Sequence, residues 1–142
     1  MKSLLGKLGV ILIGLAIFGC AEVWGADWKY FVSSSGEDWY YDAQGITRQP
    51  YGIVSVWTKI IYDEKGRIDF IVKMEKFGGE YKNLEYSINL FGLDCKGKRV
   101  KSIHGADYSK GGGAITSDSE ETNWKYIYPG SITERLYKEI CK

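Results

Sequence analysis

"YPGSITERLYKEICK", Tyr128–Lys142, is the stretch on which the fold turns. At 100° per residue, Ile132, Thr133, Leu136, Tyr137, Ile140 and Cys141 fall on one half of a helical wheel, and Glu134, Arg135, Lys138, Glu139 and Lys142 fall on the other. Ser131 and Glu134 have the spacing of a capping box: Ser131 accepts from an early backbone N–H, and Glu134 reaches back to the N–H of the cap residue itself. Pro129 and Gly130 stop the helix from running further upstream. The tail therefore reads as an amphipathic helix that carries Cys141 at the margin of its buried side.

That cysteine needs a partner, and the start of the chain narrows the choice. In "MKSLLGKLGVILIGLAIFGC", Lys2 and Lys7 lead into an apolar run from Leu8 to Phe18, followed by the small residues Gly19, Cys20 and Ala21. This is the layout of a secretory signal. The run is about half the ~20 residues that a membrane-spanning helix needs. Residues 1–19 are expected to be a signal peptide, with cuts after residue 21 or residue 26 as alternatives; the last would put Trp24 where a small residue is wanted. Ile17-Phe18-Gly19-Cys20 is similar to a lipobox, so Cys20 is a candidate for lipidation, although Phe18 is bulkier than that pattern usually carries.

Export changes the cysteine arithmetic, because disulfides persist in oxidising compartments. With Cys20 removed or acylated, Cys95 and Cys141 remain, and the expected bond between them ties the tail helix to the end of "YSINLFGLDC". On the chain-entropy account, closing such a loop is worth roughly 4 kcal/mol. A reactive thiol and half of a metal site are the competing readings. Two cysteines and a single histidine leave a tetrahedral zinc site short of ligands, and neither a metal nor a cofactor is expected.

The 142 residues suit one domain, residues 27–142, behind the leader. Loss of Lys2 and Lys7 with the leader leaves 17 basic against 18 acidic side chains, a balance that gives nucleic acid no long-range attraction. The middle of the chain reads as strands. Trp28–Ser34 and a run from Asp38 flank a loop at Ser35-Gly36-Glu37. Ile53–Tyr62 places Val54, Val56 and Ile60 on one face and Ile53, Trp57 and Ile61 on the other, as a central strand does. Tyr86–Asp94 and Lys98–Ser109 are joined tightly through Cys95-Lys96-Gly97, and a short strand near Ala114–Ser117 follows Gly111-Gly112-Gly113. The expectation is an α+β fold: an antiparallel sheet of about six strands with the C-terminal helix on one face. "GRIDFIVKMEKFGG" alternates like a strand between glycines that suit a helix, so residues 67–77 stay open between the two.

Few constellations carry chemistry. His104 is the only histidine and sits between Ile103 and Gly105 on a strand, so it reads as a sheet residue rather than a catalytic base. Asp63-Glu64 and Asp118-Ser119-Glu120-Glu121 lie beside turns without calcium-loop spacing. Gly111-Gly112-Gly113 lacks the Lys-Ser/Thr of a phosphate loop. Lys96, Lys98, Arg99 and Lys101 form a candidate binding patch for an anionic ligand, weakened by alternation that sends Lys98 and Arg99 to opposite faces. The rings of Trp28, Tyr30, Trp39, Tyr40, Tyr41, Trp57 and Trp124 read mainly as sheet packing, with a ligand-facing aromatic surface as the alternative.

The order of landmarks resembles the surface-adhesin protein E family of small exported bacterial proteins. The landmarks are "YYD" at Tyr40–Asp42 before Gly45-Ile46, "VWTKIIY" at Val56–Tyr62, "YS" before "LDC" at Cys95, "ADY" at Ala106–Tyr108, and the terminal string from Trp124 to Cys141. The resemblance implies a sheet of about six strands that carries a disulfide-tethered C-terminal helix, and a helix over 67–77. It also implies a surface protein that binds host matrix and serum proteins and can dimerise. The functional expectation is thus an exported, non-enzymatic, adhesin-like module of the periplasm, outer membrane or cell surface, with a protein or polymer ligand. A structural envelope homodimer is the alternative, and an enzyme ranks below both.

Overall fold

The computed structural model describes residues 26–75 and 79–142. The leader, Cys20 and the cleavage positions after 19 and 21 lie outside the described residues. The chain runs through β1 (Trp28–Ser34), β2 (Glu37–Asp42), β3 (Thr47–Arg48), β4 (Ile53–Tyr62), α1 (Glu64–Lys73), a 3₁₀ turn (Gly79–Asn83), β5 (Leu84–Asp94), β6 (Arg99–Ser109), β7 (Ala114–Asp118), β8 (Lys125–Tyr126) and α2 (Ile132–Ile140).

All strand pairings are antiparallel, in the order β1-β2-β4-β5-β6-β7, with β3 on β4 and β8 on β6. The register reconciles eight strands with the six expected. β2 covers Thr58–Tyr62 of β4 while β3 covers Val54 and Ser55, so the two share one edge; β7 and β8 divide the outer edge of β6 in the same way. Six lanes result, two of them interrupted.

β4 alternates as its sequence dictates. Val54, Val56, Thr58 and Ile60 are buried, and the residues between them are half-buried or exposed. Val54 and Val56 of that set join Phe31, Leu93 and Ile127 in the core, and α2 closes the layer with Leu136 and Ile140, each 1% exposed. Burying a leucine- or isoleucine-sized side chain is worth roughly 1.5–3 kcal/mol, so this seam holds the helix down. The Cys95–Cys141 disulfide adds the covalent tie, with a Cα–Cα distance of 5.5 Å, and the Tyr137 hydroxyl donates to the Cys95 carbonyl at 2.9 Å.

Three local expectations change. The first hairpin turns on two residues rather than three: Ser35 and Gly36 both have positive φ, 51° and 82°, and Glu37 already belongs to β2. Twin positive φ angles match the right-handed strand twist in a two-residue hairpin. At α2, the Glu134 amide donates to the Ser131 hydroxyl at 3.1 Å as a capping box requires, but Glu134 accepts from the Gly130 N–H at 3.2 Å, one residue upstream of the cap. The Gly130 φ of 78° turns that amide toward the helix. Of the ambiguous middle segment, residues 67–73 are helical, in a helix that begins at Glu64, and residues 76 and 77 lie outside the described residues. Asp63 caps this helix by accepting from the Gly66 N–H at 2.7 Å, and buried Gly66 lies in its first turn, where any Cβ would strike the Gly36 carbonyl.

Candidate functional site

The pleat divides the sheet into two unlike faces. Both helices lie on the face of Val54, Val56 and Ile60. α2 covers the end near Leu93, and α1 reaches the other end through Phe70, whose ring is 5.4 Å from Tyr62 and 5.7 Å from Tyr81. Below Phe70 lies a polar knot. The Asp107 carboxylate accepts from the hydroxyls of Ser87 (2.5 Å), Tyr81 (3.1 Å) and Thr116 (3.2 Å), while Tyr62 bonds Ser87 at 2.8 Å. Burial pushes the Tyr62 phenol above its ordinary value against the downward pull of the Ser87 hydrogen bond, and the nearby Asp107 charge adds a lesser upward push; burial likewise raises Tyr81. The knot joins strands and helix lobe, and a hollow of about 330 Å³ opens beside it.

The opposite face has no helix over it among the described residues. Register places Ile61, Lys59 and Trp57 of β4 beside Tyr86, Ile88 and Leu90 of β5, and these beside Tyr108, Ala106 and His104 of β6. Tyr40 and Tyr30 continue the surface across β2 and β1. Its rings are ordered against one another: Tyr86 and Tyr108 stack at 4.9 Å, Tyr30 and Tyr40 meet edge to face at 5.8 Å, and Trp57 meets His104 edge to face at 5.9 Å. Tyr30 is 58% exposed. The Lys59 ammonium sits 4.7 Å from the Tyr86 ring centre and 5.8 Å from that of Trp28, close enough for cation–π attraction. A cavity of about 290 Å³ opens here between Trp28, Asp42, Trp57, Ile88, His104, Ala106 and Tyr108.

Of the aromatic set singled out in the sequence, Trp39 and Tyr41 pack on the core with Phe31, whereas Trp28, Tyr30, Tyr40 and Trp57 line the open face. Sequence reasoning passed over Tyr86 and Tyr108. Strand register, which places Tyr86 opposite both Ile61 and Tyr108, brings them to this face.

His104 faces the cavity with Asp42 in the same lining, but the Asp42 Oδ1 already accepts from the backbone N–H groups of Asp27 (2.9 Å) and Gln44 (3.1 Å). The basic cluster is dispersed. Arg99 pairs with Asp94 at 2.8 Å, Lys101 with Glu121 at 2.9 Å and Lys98 with Glu134 at 3.8 Å, while Lys96 rests beside Gly52. Arg99 and Lys101 also flank the Trp124 ring, at 5.7 and 4.8 Å. The Gly97 amide, then Arg99, hold the Asp94 carboxyl below the usual carboxylate range.

Fold and face together define an α+β sheet protein with one helix-covered face and one aromatic face that no helix covers among the described residues. The chain belongs to the surface-adhesin protein E family, whose model matches residues 28–142. Among solved structures, the selenomethionine form of protein E of Haemophilus influenzae shares the fold with a TM-score of 0.56 and 15% identity, over 80% of this chain and 84% of that one. Protein E from non-typeable Haemophilus influenzae aligns with a TM-score of 0.47 and 13% identity, over 79% of this chain and 74% of that one. No curated protein sequence matched the chain.

Proposed function

We propose that this protein is an exported, non-enzymatic adhesin-like binding module that docks a protein or polymer ligand on the open face of its sheet. The observation that carries the reading is the bare aromatic surface of Trp28, Tyr30, Tyr40, Trp57, Tyr86 and Tyr108. Tyr and Trp supply large contact areas at low conformational-entropy cost, which is why they dominate binding hot spots. Membership of a surface-adhesin family supports the same role. Among the described residues no helix is long and apolar enough to cross a membrane. Residues 1–19 direct export in this account, residues 27–142 form the single folded unit, and acylation at Cys20 supplies the membrane anchor.

The test is retention of chain-coated beads on immobilised extracellular matrix. Trp57→Ala and Tyr86→Ala should each abolish retention, while Arg135→Ala on the exposed side of α2 leaves it intact. Retention that ignores both ring deletions would end the proposal. Intact mass of the chain purified from membranes reports the leader cut and any lipid on Cys20.

A further inference from the structure

We infer that the cavity between Trp28, Trp57 and Tyr108 seats an arginine side chain of a protein ligand; the inference rests on the open face being the docking surface. The observation behind it is a buried carboxylate without a counter-ion. Asp42 is 6% exposed, borders the cavity and forms no ion pair among the described residues. Its Oδ1 accepts from the backbone N–H groups of Asp27 at 2.9 Å and Gln44 at 3.1 Å, while Oδ2 has no donor among the described residues. That oxygen is not sealed in, since every fully buried side-chain nitrogen or oxygen of the described residues has a hydrogen-bond partner. Buried charges are ordinarily paired, because an unpaired one gives up its hydration without compensation. A cation in the cavity supplies the missing partner.

The walls select which cation. Among the described residues, Asp42 is the one carboxylate that lines the cavity, and no lysine or arginine lines it. Trp28, Trp57 and Tyr108 border the same space with rings, whose faces attract cations, most strongly where water is excluded. A guanidinium suits both features: it is planar, more weakly hydrated than an ammonium, stacks on rings and donates to a carboxylate through a fixed fork of N–H groups. A quaternary ammonium would satisfy the rings but has no N–H for Asp42. The volume, about 290 Å³, lies just under the roughly 300–1,000 Å³ of pockets for drug-sized ligands, room for one side chain rather than a folded segment. Lys59 stands outside this lining, in a separate hollow with Glu85, its ammonium nearer the Tyr86 ring centre (4.7 Å) than that of Trp28 (5.8 Å). It is a cation already held by the rings of this face.

Titration of the full chain with a glycine-flanked arginine peptide, and with the same peptide carrying citrulline as the uncharged near-isostere, tests the inference through tryptophan fluorescence and calorimetry. The arginine peptide should bind at millimolar concentration, and the citrulline peptide should bind about tenfold more weakly. Asp42→Asn keeps an oxygen for the two backbone amides and removes the charge, so it should bring the arginine peptide down to the citrulline level. Lys59→Gln takes away a neighbouring like charge and should strengthen arginine binding by roughly twofold. The citrulline comparison needs no variant and decides the matter even if Asp42→Asn does not fold. Equal affinity for the two peptides, no arginine binding at millimolar peptide, an arginine preference that survives Asp42→Asn, or weakening by Lys59→Gln would overturn it. If bead retention on matrix still needs Trp57 while the arginine peptide neither binds nor competes, the arginine inference falls and the adhesin reading stands. Retention independent of Trp57 removes the reading beneath it.

Discussion

Within β2, neighbouring rings meet opposite fates. Trp39 and Tyr41 pack against Phe31 under the helix layer, whereas Tyr40 points to the other side and meets Tyr30 edge to face. The same division runs across the sheet: Val54, Val56 and Leu93 are sealed beneath α2, while Trp57, Tyr86 and Tyr108 have no helix over them among the described residues. Aromatic content alone therefore says little about role. What separates structural rings from candidate binding rings is which pleat face the tail helix is bolted to, and that is set by Cys141 and the apolar stripe of α2.

If this division is right, damage to the covered face should cost stability, and damage to the open face should cost binding. The largest effect is expected from Cys141→Ser, which should lower unfolding free energy by roughly 4 kcal/mol in denaturant titration. Leu136→Ala should follow at about 3 kcal/mol through the cavity it leaves against Val54 and Val56. Asp107→Ala orphans the hydroxyls of Ser87, Tyr81 and Thr116 and should cost about 1–3 kcal/mol. Tyr30→Ser should sit at the bottom, within about 0.5 kcal/mol of wild type, because its ring is largely in solvent. An open-face substitution as damaging as Leu136→Ala would break the comparison.

Two ends of the sheet should also fail at opposite extremes of pH. Tyr62 and Tyr81 have raised phenol pKa values, so the folded state favours their neutral form. Their contribution is complete below the ordinary phenol value of about 10 and is lost as pH climbs beyond it. Asp94, next to Cys95, is lowered. Its contribution is complete above the ordinary carboxylate value of about 4 and is lost as pH falls below it. Thermal midpoints across pH should show Tyr62→Phe flattening the alkaline limb and Asp94→Asn flattening the acid limb.

Much of this architecture was legible because it rests on local rules. The helix stripe, the Ser131 cap, the central placement of Ile53–Tyr62 and the Cys95–Cys141 bond follow from periodicity, capping chemistry and a short supply of cysteines. The segment after Tyr62 was not legible by periodicity: beside the local Asp63 cap, its placement depends on a tertiary fit of Gly66 against Gly36, a contact between residues 30 apart in sequence. The shifted Glu134 contact depends on a backbone angle at Gly130 that no spacing encodes. The open face was half legible. Alternation sorts Trp57 from Val56, but Tyr86 and Tyr108 join the surface only through strand register, which places Tyr86 opposite both Ile61 and Tyr108. The basic patch dissolved for a similar reason, since Asp94, Glu121 and Glu134 arrive from other elements to pair with it.

Oxidative footprinting of the chain, free and bound to extracellular matrix, tests the division of faces most directly. Binding through the bare face predicts that labelling of Tyr30, Trp57 and Tyr86 falls on the matrix while labelling of Met74 and Tyr137 on the helix side holds steady. Protection of Met74 and Tyr137 with Tyr30, Trp57 and Tyr86 still labelled would contradict it.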